Sequence, residues 1–379
     1  MQDTDPTPAV SQAPALVAWL RLALTPGVGP VTANALLARF KTPKSIFSAS
    51  HAALRKHASD AQARALLAPV DGVLQAAIDA ALAWQAQPGN HLLRRCDAAY
   101  PSLLRNLRDA PPLLYAKGRT ELLSGAALAM VGSRNATVQG RATASAFAEA
   151  LSAAGISIVS GLALGIDAAA HEGGLRGPGS TIAVVGTGAD RIYPRRNREL
   201  AHRIASEGCV LSEYPLGTAP LPENFPKRNR LISAMACGVL VVEAAAKSGS
   251  LITAELANDQ GRDVFAIPGS IHSPLSAGCH KLIQSGARLI GSPGELLVAL
   301  SHAPLVRAAL PAPAPAPAPA EPDALADLLE TLGQGPVHGD ILAALTTIPP
   351  GKLSAQLVAL ELAGQVERLP GGLFQRVNR

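Results

Sequence analysis

The sequence predicts an α/β protein: a doubly wound, mainly parallel sheet, preceded by a helical segment and followed by a small winged-helix domain. Three observations predict it. From residue 126 to 302 short apolar runs alternate with helical segments, the pattern of strands covered on both faces. Residues 1–90 read as helical throughout. A Pro-Ala run, Pro311–Ala320, then sets off a short tail.

Composition bounds the function. The chain has 379 residues, 48% of them hydrophobic, which excludes a mainly disordered protein. The net charge is +5, compatible with a polyanionic partner. That charge sits in residues 91–303, with 21 basic against 16 acidic side chains, whereas residues 304–379 carry 5 against 7. Four cysteines lie far apart with no CxxC pair, so neither a zinc site nor a disulfide framework is expected. There is no basic, apolar leader and no uncharged run of 18 apolar residues. A soluble, cytoplasmic protein without membrane insertion is the expectation.

The elements follow in order. In residues 1–90 a Gly-x-Gly turn, Gly27-Val28-Gly29, precedes the apolar helix Val31–Phe40. This is a helix-hairpin-helix pattern, whose turn N–H groups suit a phosphate; a tight helical turn explains the same glycines sterically. Residues 91–303 form the central domain, with strands expected at Ala126–Val131, Ile156–Ser160, Thr181–Val185, Cys209–Glu213, Gly238–Glu243, Asp263–Ile267 and Ala287–Ile290. Residues 304–321 read as an Ala/Pro-rich linker, in which the run Pro311–Ala320 favours an extended polyproline II spacer. Residues 322–379 read as helices 324–332, 339–345 and 352–363, then a hairpin around Pro370-Gly371-Gly372.

Ligands of such sheets bind at the carboxyl ends of the strands. The first strand ends in Gly132-Ser133-Arg134, a small N–H-rich turn beside a cation. The second runs from Gly161 through Gly165 into a helix with Asp167 and His171 on one face. An N-capping aspartate beside a buried histidine is favoured there over a metal pair, since no third ligand stands at useful spacing. The third ends in Gly186-Thr187-Gly188, a partial dinucleotide fingerprint that fails at Arg191. The fifth leads into Lys247-Ser248-Gly249-Ser250 and Thr253, a turn before a helix that suits a phosphate.

A repeated hexamer is the strongest internal signal. Tyr193-Pro194-Arg195-Arg196-Asn197-Arg198 and Phe225-Pro226-Lys227-Arg228-Asn229-Arg230 share one pattern, and each runs into a helix with Asn197 or Asn229 as candidate N-cap. Cations before a helix N-terminus are misplaced electrostatically unless an anion joins them. An aromatic beside them suits an unstacked base. A solvated basic turn with a packing aromatic explains one such hexamer, but two favour nucleic acid.

From Met130 to Ile290 the sequence resembles the DNA-processing protein A (DprA/Smf) family. The resemblance is carried by VGSR, SGLALGID, TIAVVGTG, YPRRN, LSEYPLG, FPKRNRLIS, SGSLITAELA, GRDVFAIPGS and GCHKLIQSGA, in family order. It implies an extended Rossmann core that binds single-stranded DNA, a SAM-like N-terminal domain and a winged-helix tail. It further implies a homodimer that helps load RecA recombinase during natural transformation, with no cofactor and no catalytic residue. By motif, Arg134, the basic residues of YPRRN and FPKRN, and the Ser248–Ser250 turn would hold the DNA. Leu164 stands where members often carry a basic residue. The alternative is a phosphoribohydrolase-like enzyme acting on nucleoside monophosphates, with Glu255 as its acid.

Overall fold

The computed structural model describes residues 13–309, 322–333, 335–346 and 348–377. The chain forms two compact units, Met1–Leu310 and Pro311–Arg379. The Pro-Ala run at 311–320 lies outside the described residues.

The first unit opens with six helices among the described residues: α1 (Ala13–Leu24), α2 (Pro30–Phe40), α3 (Pro43–Phe47), α4 (His51–Leu54), α5 (Asp60–Leu67) and α6 (Gly72–Gln85). Their starts are encoded locally. Thr42, Ser50, Ser59 and Asp71 each accept a backbone N–H from the first turn that follows, and Ser59 with Gln62 completes a capping box. Gly27 takes φ +75° between α1 and α2, and Pro30 opens α2. Residue 90 does not end a separate core. Leu20, Leu36 and Trp84 share one apolar cluster with Leu92, Leu113 and Tyr115. Asn34 of α2 also donates to the carbonyls of Arg108 and Ala110.

Nine strands follow among the described residues of this unit: β1 (Asn90–Arg94), β2 (Leu113–Gly118), β3 (Ala127–Gly132), β4 (Ser157–Ser160), β5 (Thr181–Val184), β6 (Cys209–Ser212), β7 (Gly238–Val242), β8 (Asp263–Ala266) and β9 (Arg288–Leu289). They lie side by side as β1-β2-β6-β5-β4-β3-β7-β8-β9. From β6 to β9 every neighbouring pair is parallel; β1–β2 and β2–β6 are antiparallel. The seven expected strands are present, displaced by a residue or two at their ends. Strands β1 and β2 lie outside that expectation, because their apolar runs are short and only a single 3-10 turn, Leu104–Asn106, separates them.

Helices α7 (Val138–Ala153), α8 (Ile166–Gly174), α9 (Arg198–Glu207), α10 (Asn224–Ala234), α11 (Gly249–Asp259), α12 (Ala277–Gln284), α13 (Pro293–Leu300) and α14 (Pro304–Ala309) complete this unit. Strand alternation divides the core between the two faces of the sheet. Ala127, Ala129 and Val131 face a cluster with Ile182, Leu211, Ile232 and Leu251. Leu128 and Met130 face another with Phe147, Leu151, Leu240 and Phe265. The linker expected over 304–321 is helical in its described part, which is a correction. Residues 304–309 are helical because Val306 is buried in that second cluster.

The second unit holds α15 (Pro322–Leu332), α16 (Gly339–Thr346), α17 (Pro350–Leu362), β10 (Val337–His338), β11 (Val366–Leu369) and β12 (Leu373–Arg376). Its antiparallel sheet has the order β10-β12-β11. Leu328, Leu342, Leu353, Leu357 and Val366 form its core. Gly371 and Gly372, at φ +85° and +76°, turn β11 back onto β12 as the wing. Among the described residues no single helix is long and apolar enough to cross a membrane.

Candidate functional site

The order of the sheet reverses at β3, whose chain proceeds to β4 on one side while β7 lies on the other. A crevice opens beyond the strand ends at such a switch point. Here it is a cleft of about 580 Å³. One wall is Gly132-Ser133-Arg134-Asn135, a second is Ser248-Gly249-Ser250 with Thr253, and a third carries Tyr193, Phe225, Arg228 and Asn229.

The aromatic wall joins two distant segments. The rings of Tyr193 and Phe225 lie 5.5 Å apart and tilted by 41°, and the Arg134 guanidinium carbon sits 6.0 Å from the Phe225 ring centre. Tyr193 is 45% exposed, so one face of this pair is open to solvent. Phe225 is placed by Gly186: a Cβ there would lie 3.1 Å from the ring. The glycine that suggested a dinucleotide turn is thus a seat for an aromatic.

On the opposite wall Ser248 caps α11, accepting from Ser250 N–H at 3.3 Å, and its hydroxyl lies 2.7 Å from that of Ser250. A Cβ on Gly249 would meet nothing within 4 Å. The start of α11 is therefore open at the cleft: Ser248 takes up the Ser250 and Leu251 N–H groups, while the Gly249 N–H and the positive dipole end face an anion.

The floor is a buried polar network. Arg228 is only 4% exposed; its guanidinium donates to the carbonyls of Gly161, at 2.9 Å, and Val184. Burial lowers its pKa to about 10, with the Asp167 carboxylate opposing the shift. Asp167 accepts the N–H groups of Gly161 and Ala163 at 3.1 and 3.3 Å, and burial raises its pKa against the pull of Arg228. His171 is fully buried. Leu162 N–H donates to its Nε2, leaving Nδ1–H to donate to the Thr181 hydroxyl at 2.6 Å, which donates onward to Ile158. Burial, reinforced by Arg228, lowers the histidine pKa to about 3, so the ring is neutral. This network holds Leu162 at φ +58°, a conformation unusual for a branched residue.

Two family models match the chain: DNA recombination-mediator protein A over residues 91–301, and the DprA winged helix domain over residues 312–372. The first spans more than half of the sequence. The chain belongs to the DNA recombination-mediator protein A family. It is 41% identical to Protein Smf of Escherichia coli, over 80% of this chain and 81% of that one. It is 49% identical to the DNA processing protein DprA of Streptococcus pneumoniae, over 53% of this chain and 71% of that one. The crystal structure of the Streptococcus pneumoniae protein superposes with a TM-score of 0.64 at 37% identity, covering 74% of this chain and 96% of that one. A structure of the Helicobacter pylori protein, described for its single-stranded DNA binding mode, superposes at 0.51 and 32% identity, covering 56% of this chain and 96% of that one.

Within this family member the expected site residues divide into three groups. Ser133, Arg134, Tyr193, Phe225, Asn229, Ser248, Gly249, Ser250 and Thr253 line the cleft. Arg195, Arg196, Lys227 and Lys247 are exposed on the segments that flank it, outside its lining.

The remaining residues are structural, and these are corrections. Arg228 lines the cleft floor with its donors turned inward to carbonyls. Arg230 pairs with Glu213 and, at 3.0 Å, with Asp109. Asn197 makes no side-chain cap; it donates to the carbonyls of Leu162 and Ala163, pinning the Tyr193 turn to the end of β4. Asn229 lies inside α10 rather than at its cap, because the second hexamer is already helical. Gly132 lines the cleft, and it, Gly161 and Gly165 are also required by the protein's own packing. A Cβ on them would overlap Val242, the Arg228 guanidinium and the Ser133 carbonyl respectively. Asp167 is in the first turn of α8, past the cap position held by Gly165.

Glu255 is absent from the cleft. It lines a separate pocket of about 390 Å³ with Arg262, Lys281 and Arg288.

Proposed function

We propose that the chain binds single-stranded DNA along this cleft and acts as a recombination mediator that loads RecA recombinase onto the bound strand. The observation that carries this reading is the pairing of Tyr193 with Phe225 beside Arg134, facing the open start of α11. An unstacked base finds a ring, and its flanking phosphates find a guanidinium and helix N–H groups. The Helicobacter pylori relative, described by its single-stranded DNA binding mode, supports the reading. Membership in the recombination-mediator family supports the RecA role and a homodimeric, cytoplasmic protein working in natural transformation.

The same reading treats the chain as a binder rather than an enzyme. Of the charged groups lining the cleft, Asp167 is committed to backbone N–H groups and Arg228 to carbonyls, which leaves no poised acid–base pair there among the described residues. The nucleotide-hydrolase alternative draws no support from this cleft, since Glu255 lines the other pocket.

The test is fluorescence anisotropy of a labelled thymidine oligomer titrated with protein at two salt concentrations, with duplex DNA as competitor. Tight, salt-sensitive binding that duplex displaces poorly is expected. Binding of a free mononucleotide in place of the oligomer would overturn the proposal. RecA filament growth on strands coated by a single-strand-binding protein then tests the loading step.

A further inference from the structure

Helix α7 follows β3 directly, so its N-terminus is where a doubly wound sheet ordinarily seats a nucleotide phosphate. No acidic residue lies in its first turn. The anion comes instead from a residue far away in sequence. The Glu243 carboxylate, just past β7, accepts Thr137 N–H at 2.9 Å and the Thr137 hydroxyl at 2.5 Å. Two further features are built around it. Gly140 in the first turn of α7 carries no Cβ, and one placed there would overlap the Glu243 carboxyl group. Glu243 itself holds φ +55°, with its carbonyl accepting Ser133 N–H from the cleft wall.

We infer that Glu243 is a specificity-determining residue: its carboxylate occupies the phosphate seat of α7 and turns away free phosphate and nucleoside monophosphates. Anions are thereby left to Arg134 and to the α11 turn, where the phosphodiesters of a strand are held from both sides of the cleft. A monophosphate carries its charge at one end only, so with the α7 seat filled it is left to a single contact at Arg134 or the α11 turn. A strand loses little. Retention of strands rests on the proposed single-stranded DNA binding; exclusion of monophosphates does not.

The test uses full-length Glu243→Asn and Glu243→Gly, both suited to a left-handed backbone, and Glu243→Gln, which keeps the seat filled. Binding of inorganic phosphate, thymidine 5′-monophosphate and a thymidine oligomer is measured by calorimetry at fixed ionic strength. Asn and Gly are expected to tighten both small phosphate probes about tenfold or more, from vacating the seat at the helix N-terminus, which Gln still fills. Gln stays near wild type, and oligomer affinity changes less than monophosphate affinity in every variant. Monophosphate binding no tighter in the Asn and Gly variants overturns the inference, as does loss of a cooperative unfolding transition in both, which would assign Glu243 to the fold alone. Failure of the wild type to bind the oligomer removes the single-strand reading and leaves the monophosphate comparison intact.

Discussion

At the scale of the residue, neighbouring cations do opposite work. Arg134 is exposed at the cleft, so Arg134→Ala is expected to weaken single-strand binding to all sequences alike and to flatten the salt dependence by about 0.7 for each phosphate that is no longer neutralised. Arg228 is buried between two carbonyls and a carboxylate. Arg228→Met would strand Asp167 without its counter-charge and cost about 3–5 kcal/mol in denaturant unfolding; adding Asp167→Asn should recover part of that. His171 provides a third measurement. Its folded pKa of about 3 lies below the unfolded value near 6.5, so the unfolded chain binds the extra proton. Its stabilising contribution is present above pH 6.5 and is lost as pH falls toward 3, by about 1.4 kcal/mol per unit at most. The difference in pH slope between wild type and His171→Gln isolates the imidazole from nearby carboxylates such as Asp167.

At the scale of the element, the two basic hexamers show what a sequence pattern conveys. Their shared aromatic and their position after successive strands were legible, and the rings do meet across 5.5 Å. Their conformations were not. Phe225-Pro226 opens α10, where a proline in the first turn sacrifices no helical hydrogen bond. Tyr193-Pro194 stays in a loop held by Asn197. Cations at positions four and six of the second hexamer look alike in the sequence, yet one reaches carbonyls at strand ends and the other reaches Glu213 and Asp109. Long-range partners of this kind leave no trace in spacing. Asn197→Ala tests the loop: it leaves the Leu162 and Ala163 carbonyls without their donor and should cost about 1–3 kcal/mol, with a larger loss of single-strand affinity than the exposed Arg196→Ala.

At the scale of the whole molecule, the parallel strands were readable because burial on both faces demands apolar runs. Strands β1 and β2 were not, since β2 gains its place by pairing with β6, far along the chain, and β1 by pairing with β2. The winged-helix unit was readable from its three helices and glycine turn, and it has its own core. Charge is unevenly divided between the units, with the surplus of basic groups in residues 91–303. A chain ending at residue 310 is therefore expected to unfold cooperatively and to bind a thymidine oligomer within a few-fold of the full protein, with an unchanged salt slope. A collapse of that slope would place phosphate-binding groups in the second unit.

The close approach of Gly161 to Arg228 also constrains how this sequence can change. A methyl group at 161 would stand 2.6 Å from the guanidinium, so alanine and arginine cannot share the site without displacement. Gly161→Ala is a damaging step taken alone and a tolerable one only after residue 228 has become shorter. Shortening 228 first, however, abandons a buried aspartate. Neither single step is easy, so drift at these two positions, 67 residues apart, has to pass through Asp167.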